Sequence, residues 1–113
     1  MSEKSCIFCK IVAGELPAQV IWQDDDILVI KDIHPKAPIH YLIIPKKHSR
    51  DLLDTSLENS LSHKLFVKTP QYLAQTVPGA EAFNLIVNNG AGAGQVIFHL
   101  HAHFLAGKKL FNL

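Results

Sequence analysis

Toward its end the chain runs His99-Leu100-His101-Ala102-His103-Phe104-Leu105, with histidines alternating with apolar residues. On a β-strand, alternate side chains share a face and lie about 6.6 Å apart, for a rise of ~3.3 Å per residue. All three imidazoles then point the same way, whereas on a helix they scatter. The spacing therefore predicts a strand over 96–105, with Leu100, Ala102 and Phe104 packed against hydrocarbon on its other face. Imidazole titrates near neutral pH, so it can act as nucleophile, general acid or phosphate donor. A His-x-His zinc site on the strand is the rival chemical reading of the pattern alone.

Immediately upstream lies Asn88-Asn89-Gly90-Ala91-Gly92-Ala93-Gly94. Small residues let backbone N–H groups approach an anion and form a concave nest. The loop lacks Gly-Lys-Ser/Thr and opens no helix, so it is not a P-loop. Beside three histidines it favours phosphate chemistry.

Farther out, Ser5 is placed to cap a short helix over 6–13, with Gly14 as its stop. Branched apolar runs over 19–23 and 27–31 flank Asp24-Asp25-Asp26 and read as a hairpin. His34-Pro35-Lys36-Ala37-Pro38 is a proline-bounded loop, and 40–44 is the next strand, ended by Pro45. Leu57, Leu61, Leu65, Leu73 and Val77 fall at multiples of four and mark one face of a long helix. Pro70 interrupts it, which predicts a kink or break near Thr69. A fourth strand covers 83–87. Strands around one long helix, joined by short connections, give an α+β fold: a five-stranded, mostly antiparallel sheet with one long helix and a short N-terminal helix.

At 113 residues there is room for one domain, 1–113. A net charge of +1 argues against a broad electrostatic grip on nucleic acid. No apolar run approaches the ~18 residues that span a membrane, and the first ten residues lack the pattern of a signal peptide. A cytoplasmic setting is expected, with the nucleus alongside it. In that setting Cys6-x-x-Cys9 suggests metal or redox chemistry rather than a structural disulfide.

These segments together resemble the histidine triad (HIT) family. Gly94-Gln95-Val96-Ile97-Phe98-His99-Leu100-His101-Ala102-His103-Phe104-Leu105 is similar to its signature. Asp32-Ile33-His34-Pro35-Lys36-Ala37-Pro38-Ile39-His40, then Leu42-Ile43-Ile44-Pro45-Lys46-Lys47-His48, resembles its earlier half, and Cys6-Ile7-Phe8-Cys9-Lys10-Ile11 with Gly14 and Pro17 resembles its start. The branch it looks most like is the Hint-type nucleoside phosphoramidases. The resemblance implies a HIT-like fold and cleavage of the P–N bond of purine nucleoside 5′-phosphoramidates. His101 would attack phosphorus, forming a nucleotidyl-histidine that water hydrolyses to AMP or GMP. His103 would hold a phosphate oxygen or assist the leaving group, and His40 would complete the cluster. Asn88 and the backbone of Gly94 and Val96 would grip phosphate, and Asp32 would take the ribose hydroxyls. Ile7, Phe8, Ile11, Leu16, Ile30 and Ile33 would sandwich the base. Cys6, Cys9, His48 and His99 would hold a structural zinc, and no catalytic metal is required.

The resemblance also implies a homodimer that takes a purine nucleotide such as AMP or GMP, with no nucleic-acid or membrane partner. Two features depart from it. Many Hint-type members carry a hydroxyl or acidic side chain where Val96 offers only its backbone N–H, and the tail Lys108-Lys109-Leu110-Phe111-Asn112-Leu113 lacks the tryptophan-containing end of some relatives. The alternatives are a dinucleoside polyphosphate hydrolase and a non-catalytic nucleotide- or zinc-binding module.

Overall fold

The computed structural model describes residues 5–54 and 58–113. The N-terminal helix, α1, runs Ile7–Val12. Its cap is Cys6 rather than the expected Ser5: the Cys6 sulfur accepts from the backbone N–H of Cys9, a thiol standing where a hydroxyl commonly does. Gly14, at φ +79°, carries the chain out of the helix as expected.

The hairpin forms between β1 (Val20–Gln23) and β2 (Ile27–Lys31). Asp24 makes its turn by accepting the N–H groups of Asp26 and Ile27 on one carboxylate oxygen. Its other oxygen pairs with Lys64, which anchors the hairpin to the long helix. Strand β3 (Ile39–Pro45) follows, one residue longer at each end than expected.

The long helix is continuous but not regular. It comprises α2 (Asn59–His63), a π-helical turn over Lys64–Lys68, and α3 (Thr69–Thr76). The break expected near Thr69 takes the form of a π-helical turn just before Pro70. The Thr69 N–H reaches back five residues to the Lys64 carbonyl, and the widened ladder makes room for a ring that has no N–H to offer. Leu57, proposed as the first residue of the apolar face, lies outside the described residues. Strand β4 (Phe83–Ile86) and strand β5 (Ala102–Ala106) complete the sheet.

The order is β1-β2-β3-β5-β4, with every pairing antiparallel. Period-two alternation sends side chains to two buried layers. Ile27, Val29, Ile43, Leu100, Ala102 and Phe104 meet Leu65 and Leu73 of the long helix. On the other face Leu28, Ile30, Leu42 and Ile44 meet Cys6 and Phe8 at α1. His40 and His103 project from this second face, in the same columns as Leu42 and Leu105, so the imidazoles emerge on the side that α1 only partly covers. Among the described residues, no helix is long and apolar enough to cross a membrane.

Candidate active site and metal centre

The histidine segment departs from the expected strand over 96–105, because β5 begins only at Ala102. His103 is on the strand, while His99 and His101 are on the irregular chain leading into it. The reason is Gln95, which the sequence pattern gave no separate role. Gly94 is in the left-handed region (φ +97°), and the Gln95 side chain then folds into the protein, only 5% exposed. Its Oε1 accepts from the Gly90 N–H at 2.8 Å, while its Nε2 donates to the carbonyls of Arg50 (2.8 Å) and Ile97 (3.0 Å). Leu100 N–H donates to Ser49 O at 2.7 Å, so the segment bonds to the chain after β3 instead of extending β5. The one available signal was an amide side chain following an obligatory turn.

This irregular path gives each histidine a different neighbour. His101 Nδ1 donates to the carbonyl of His99 at 2.7 Å. In the neutral ring that bond leaves Nε2 as a lone pair. His40 and His103 are set the other way. The backbone N–H of Lys36 donates to His40 Nδ1 at 3.0 Å, so the proton of neutral His40 sits on Nε2. His40 Nε2 lies 2.9 Å from His103 Nδ1, which must then accept, and His103 presents Nε2–H. Backbone groups thus set opposite tautomers on neighbouring rings, whose centroids are 5.2 Å apart.

Burial keeps these rings neutral. It pushes His101 below the ordinary 6.5, outweighing the pull of the His99 carbonyl. Burial and then the adjacent His101 and His40 push His103 down to about 4. Burial lowers His40 as well, with Asp32 opposing. Phe8 supplies part of the cover, edge-on to His101 at 5.1 Å between centroids.

Beside the rings is a cavity of about 530 Å³. It brings together Ile7, Phe8, Ile11, Leu16, Ile30, Asp32, Ile33, Asn88, Gly94, Val96, His101 and His103. Ile33 and Val96 sit at its rim, 85% and 82% exposed. Pro17, Ala18, Lys31, His34, Leu42 and Ile97 also line it, and none of them was expected in the nucleotide site. Its wall is mostly hydrocarbon, with Asp32, Asn88, His101 and His103 among its polar residues. The Gly94 N–H donates to the Ala91 carbonyl at 3.0 Å, so it is spent on the turn in this state. One Asp32 oxygen accepts the His34 N–H at 2.8 Å, and the other lies 3.4 Å from His40 Nε2.

His40 does not line this cavity; it borders a second groove on the far side of His103.

On the other side of the His101 brace, Cys6 Sγ, Cys9 Sγ and one ring nitrogen each from His48 and His99 lie within 4.8 Å of one another. The sulfur–nitrogen separations are 3.3 Å (Cys6–His99), 3.3 Å (Cys9–His48) and 3.6 Å (Cys9–His99), and the two Nδ1 atoms are 3.2 Å apart. A tetrahedral zinc with ordinary bond lengths separates its nitrogens by about 3.3 Å and a sulfur from a nitrogen by about 3.6 Å. His99 Nε2 donates to the Pro45 carbonyl at 2.7 Å, leaving Nδ1 as the lone pair that faces the sulfurs. The residues therefore fit a metal ion. Asp32, His40 and His103 also cluster, but the Lys36 amide places the His40 proton on the nitrogen facing that cluster, which suits a hydrogen-bond chain instead.

Residues 13–110 match the family model described as the HIT domain. The chain belongs to the HIT family. The HIT family hydrolase of Clostridium thermocellum superposes with a TM-score of 0.89 at 38% identity, over 97% of this chain and 96% of that one. A zinc-bound histidine triad protein of Mycobacterium smegmatis gives 0.81 at 35% identity, over 95% and 78%. Adenylylsulfatase HINT3 of Arabidopsis thaliana is 41% identical over 109 residues, 95% of this chain and 54% of that protein. The HIT fold and the five-stranded sheet with one long helix are thus as expected.

Proposed function

We propose that this HIT protein hydrolyses the P–N bond of purine nucleoside 5′-phosphoramidates through a nucleotidyl-histidine at His101. The reading rests on the opposed tautomers: a lone pair on His101 Nε2 and a donor on His103 Nε2, on two residues that line one mostly apolar cavity. The base lies among Ile7, Phe8, Ile11, Leu16, Ile30 and Ile33. Asp32 takes the ribose hydroxyls, and Asn88 with the backbone near Gly94 and Val96 takes the phosphate.

His101 Nε2 attacks phosphorus, and its ring becomes cationic as the bond forms. The His99 carbonyl, already accepting at Nδ1, stabilises that charge without reorganising. His103 Nε2–H holds a phosphate oxygen, and His40 fixes its tautomer. The leaving nitrogen takes its proton from water. Water then attacks phosphorus, and the electron pair of the P–N bond returns to His101. In this reading the chain is a single domain, 1–113, working as a homodimer in the cytoplasm.

Cys6, Cys9, His48 and His99 would hold a structural zinc. When bound, the ion cross-links α1 to the segment that carries the histidines. His99 then joins the two centres, its ring a ligand and its carbonyl the brace of His101.

The test is adenosine 5′-phosphoramidate. Turnover by the wild type should vanish in His101→Ala, while an adduct of AMP accumulates on wild-type protein in rapid acid quench. Folded, nucleotide-binding protein without turnover would refute the reading. A second reading follows from the relative named adenylylsulfatase: the same attack, with sulfate leaving. Parallel kcat/KM values for the two substrates separate them.

A further inference from the structure

The ladder between β2 and β3 ends on the pair Lys31 and Tyr41. One residue farther along, Asp32 stands opposite His40, and the Asp32 N–H donates to the His40 carbonyl at 3.0 Å. Residues set opposite each other on neighbouring strands send their side chains to one face. On its other side His40 is paired with Leu105, while Leu42 is paired with His103, so His103 stands diagonal to His40. The backbone thus gathers one carboxylate and two imidazoles. Among the residues lining the cavity and the second groove, Asp32 is the only carboxylate.

Both of its oxygens are directed. One accepts the His34 N–H at 2.8 Å, and the other lies 3.4 Å from His40 Nε2. That nitrogen carries the proton of the neutral ring, because the Lys36 N–H occupies Nδ1. A lone pair at Nε2 would face a negative oxygen. The carboxylate at one end of the ring and the amide at the other therefore favour the same tautomer. His40 is only 4% exposed, so water screens the contact little. Burial lowers both His40 and His103, and Asp32 pulls each of them back up against the Lys36 charge. An ionised carboxylate offers about four lone-pair sites, so contacts to His34 and His40 leave capacity for a sugar.

Resting on the phosphoramidase reading, we propose that Asp32 is a positioning residue as well as the ribose acceptor: it fixes the His40 tautomer that makes His103 Nε2 a donor to phosphate. One carboxylate then ties recognition of the sugar to the state of the imidazole that holds the phosphate. In this role Asp32 exchanges no proton with the substrate and acts only through His40.

The first test needs no turnover. Imidazole proton–nitrogen correlation spectra of the full chain, taken above neutral pH, report which nitrogen of each neutral ring carries the proton. In the wild type both His40 and His103 should be protonated at Nε2. Asp32→Asn keeps an acceptor for the His34 N–H but turns an amide N–H toward His40 Nε2, so the His40 signals should move toward the Nδ1–H form and those of His103 should move with them. A wild-type His40 proton on Nδ1, or unchanged spectra in Asp32→Asn, overturns the proposal.

The second test compares adenosine 5′-phosphoramidate with its 2′,3′-dideoxy analogue, which has no ribose hydroxyl for Asp32 to take. On the dideoxy compound Asp32→Asn should still lower kcat about tenfold and change KM by less than about twofold. That is less than the roughly hundredfold or more of a proton-transfer group, because the Lys36 N–H still acts on Nδ1. In a His40→Ala background the same substitution should leave the dideoxy kcat unchanged. A dideoxy kcat indifferent to Asp32→Asn makes Asp32 a ribose acceptor alone, and a loss that persists without His40 makes its effect independent of that ring; either result overturns the proposal. A tautomer change in Asp32→Asn with no wild-type turnover of either compound removes the hydrolase and keeps the positioning of His40. Wild-type turnover with unchanged spectra removes the positioning and keeps the hydrolase.

Discussion

Replacing Gln95 with leucine tests the feature that makes the histidine segment irregular. The two side chains are similar in volume, so the change removes polarity with little loss of packing. Three backbone groups lose a partner: Gly90 N–H, Arg50 C=O and Ile97 C=O. A buried group left unpaired costs about 1–3 kcal/mol. Arg50 is exposed, and Gly90 and Ile97 are partly so, so water can replace some of these bonds. The low end applies, about 1 kcal/mol each and ~3 kcal/mol together. For a domain of this size that lowers Tm by roughly 12 °C, taking ~4 °C per kcal/mol. Urea unfolding followed through Trp22 fluorescence, at one fixed protein concentration, measures the change. Gln95→Glu sharpens the test. It returns an acceptor to Gly90 but points a carboxylate at two carbonyls, so it should cost at least as much as leucine near pH 7 and recover as acid protonates it. A loss below about 1 kcal/mol in Gln95→Leu, with nucleotide affinity unchanged, would refute the clamp.

Acid should destabilise the metal-free protein below pH 6.5. His103 is held down to about 4 in the fold against 6.5 in the open chain, so between these values the unfolded state binds the extra proton and stability falls with falling pH. At 1.36 kcal/mol per pH unit the loss is up to roughly 3 kcal/mol, complete near pH 4. His103→Gln should flatten that part of the stability–pH curve, and an unchanged curve would remove His103 as its source. Cys9→Ser should bind less than one equivalent of zinc by elemental analysis after gel filtration and should melt earlier; full zinc content would exclude Cys9 as a ligand. His40→Ala should lower kcat more than it weakens AMP binding, because it frees the His103 tautomer, whereas an equal loss in both would make His40 a plain binding residue.

The sheet was legible from alternation. Each strand carries apolar residues on one or both faces at period two, with turn residues between, and the observed strands β1 to β4 lie within a residue or so of the expected limits. Alternation misled at one place. His99 and His101 have the spacing of a strand but lie on irregular chain, because what holds them is the Gln95 side chain and the Ser49 carbonyl, contacts remote in sequence. Pro70 was visible as a disturbance, yet whether a proline breaks a helix or is absorbed by a wide turn depends on the preceding carbonyls, which no local pattern reports. The apolar residues lining the first cavity were named from a family resemblance. In composition they cannot be told from core residues, and only the fold separates them from Leu28 or Ile44.

The histidines show why residue type does not fix chemical role. Four imidazoles, on His40, His99, His101 and His103, share one face of one small protein, and all have their pKa lowered by burial. Their differences come from single backbone atoms. The Pro45 carbonyl takes the Nε2 proton of His99 and turns its Nδ1 toward two sulfurs; the His99 carbonyl takes the Nδ1 proton of His101 and turns its Nε2 toward the cavity. The Lys36 amide does the reverse to His40 and, through it, makes His103 a donor. Pro45 ends β3, which also carries His40, and Lys36 sits in the loop before it. One strand and its approach therefore set which ring nitrogen each of these histidines offers as a lone pair and which as a donor. A shift of β3 by a single residue would reverse which face of the sheet His40 occupies and dissolve the arrangement. Its register is fixed by hydrocarbon, by Leu42 and Ile44 on one side and Ile43 on the other, each against its own hydrophobic layer.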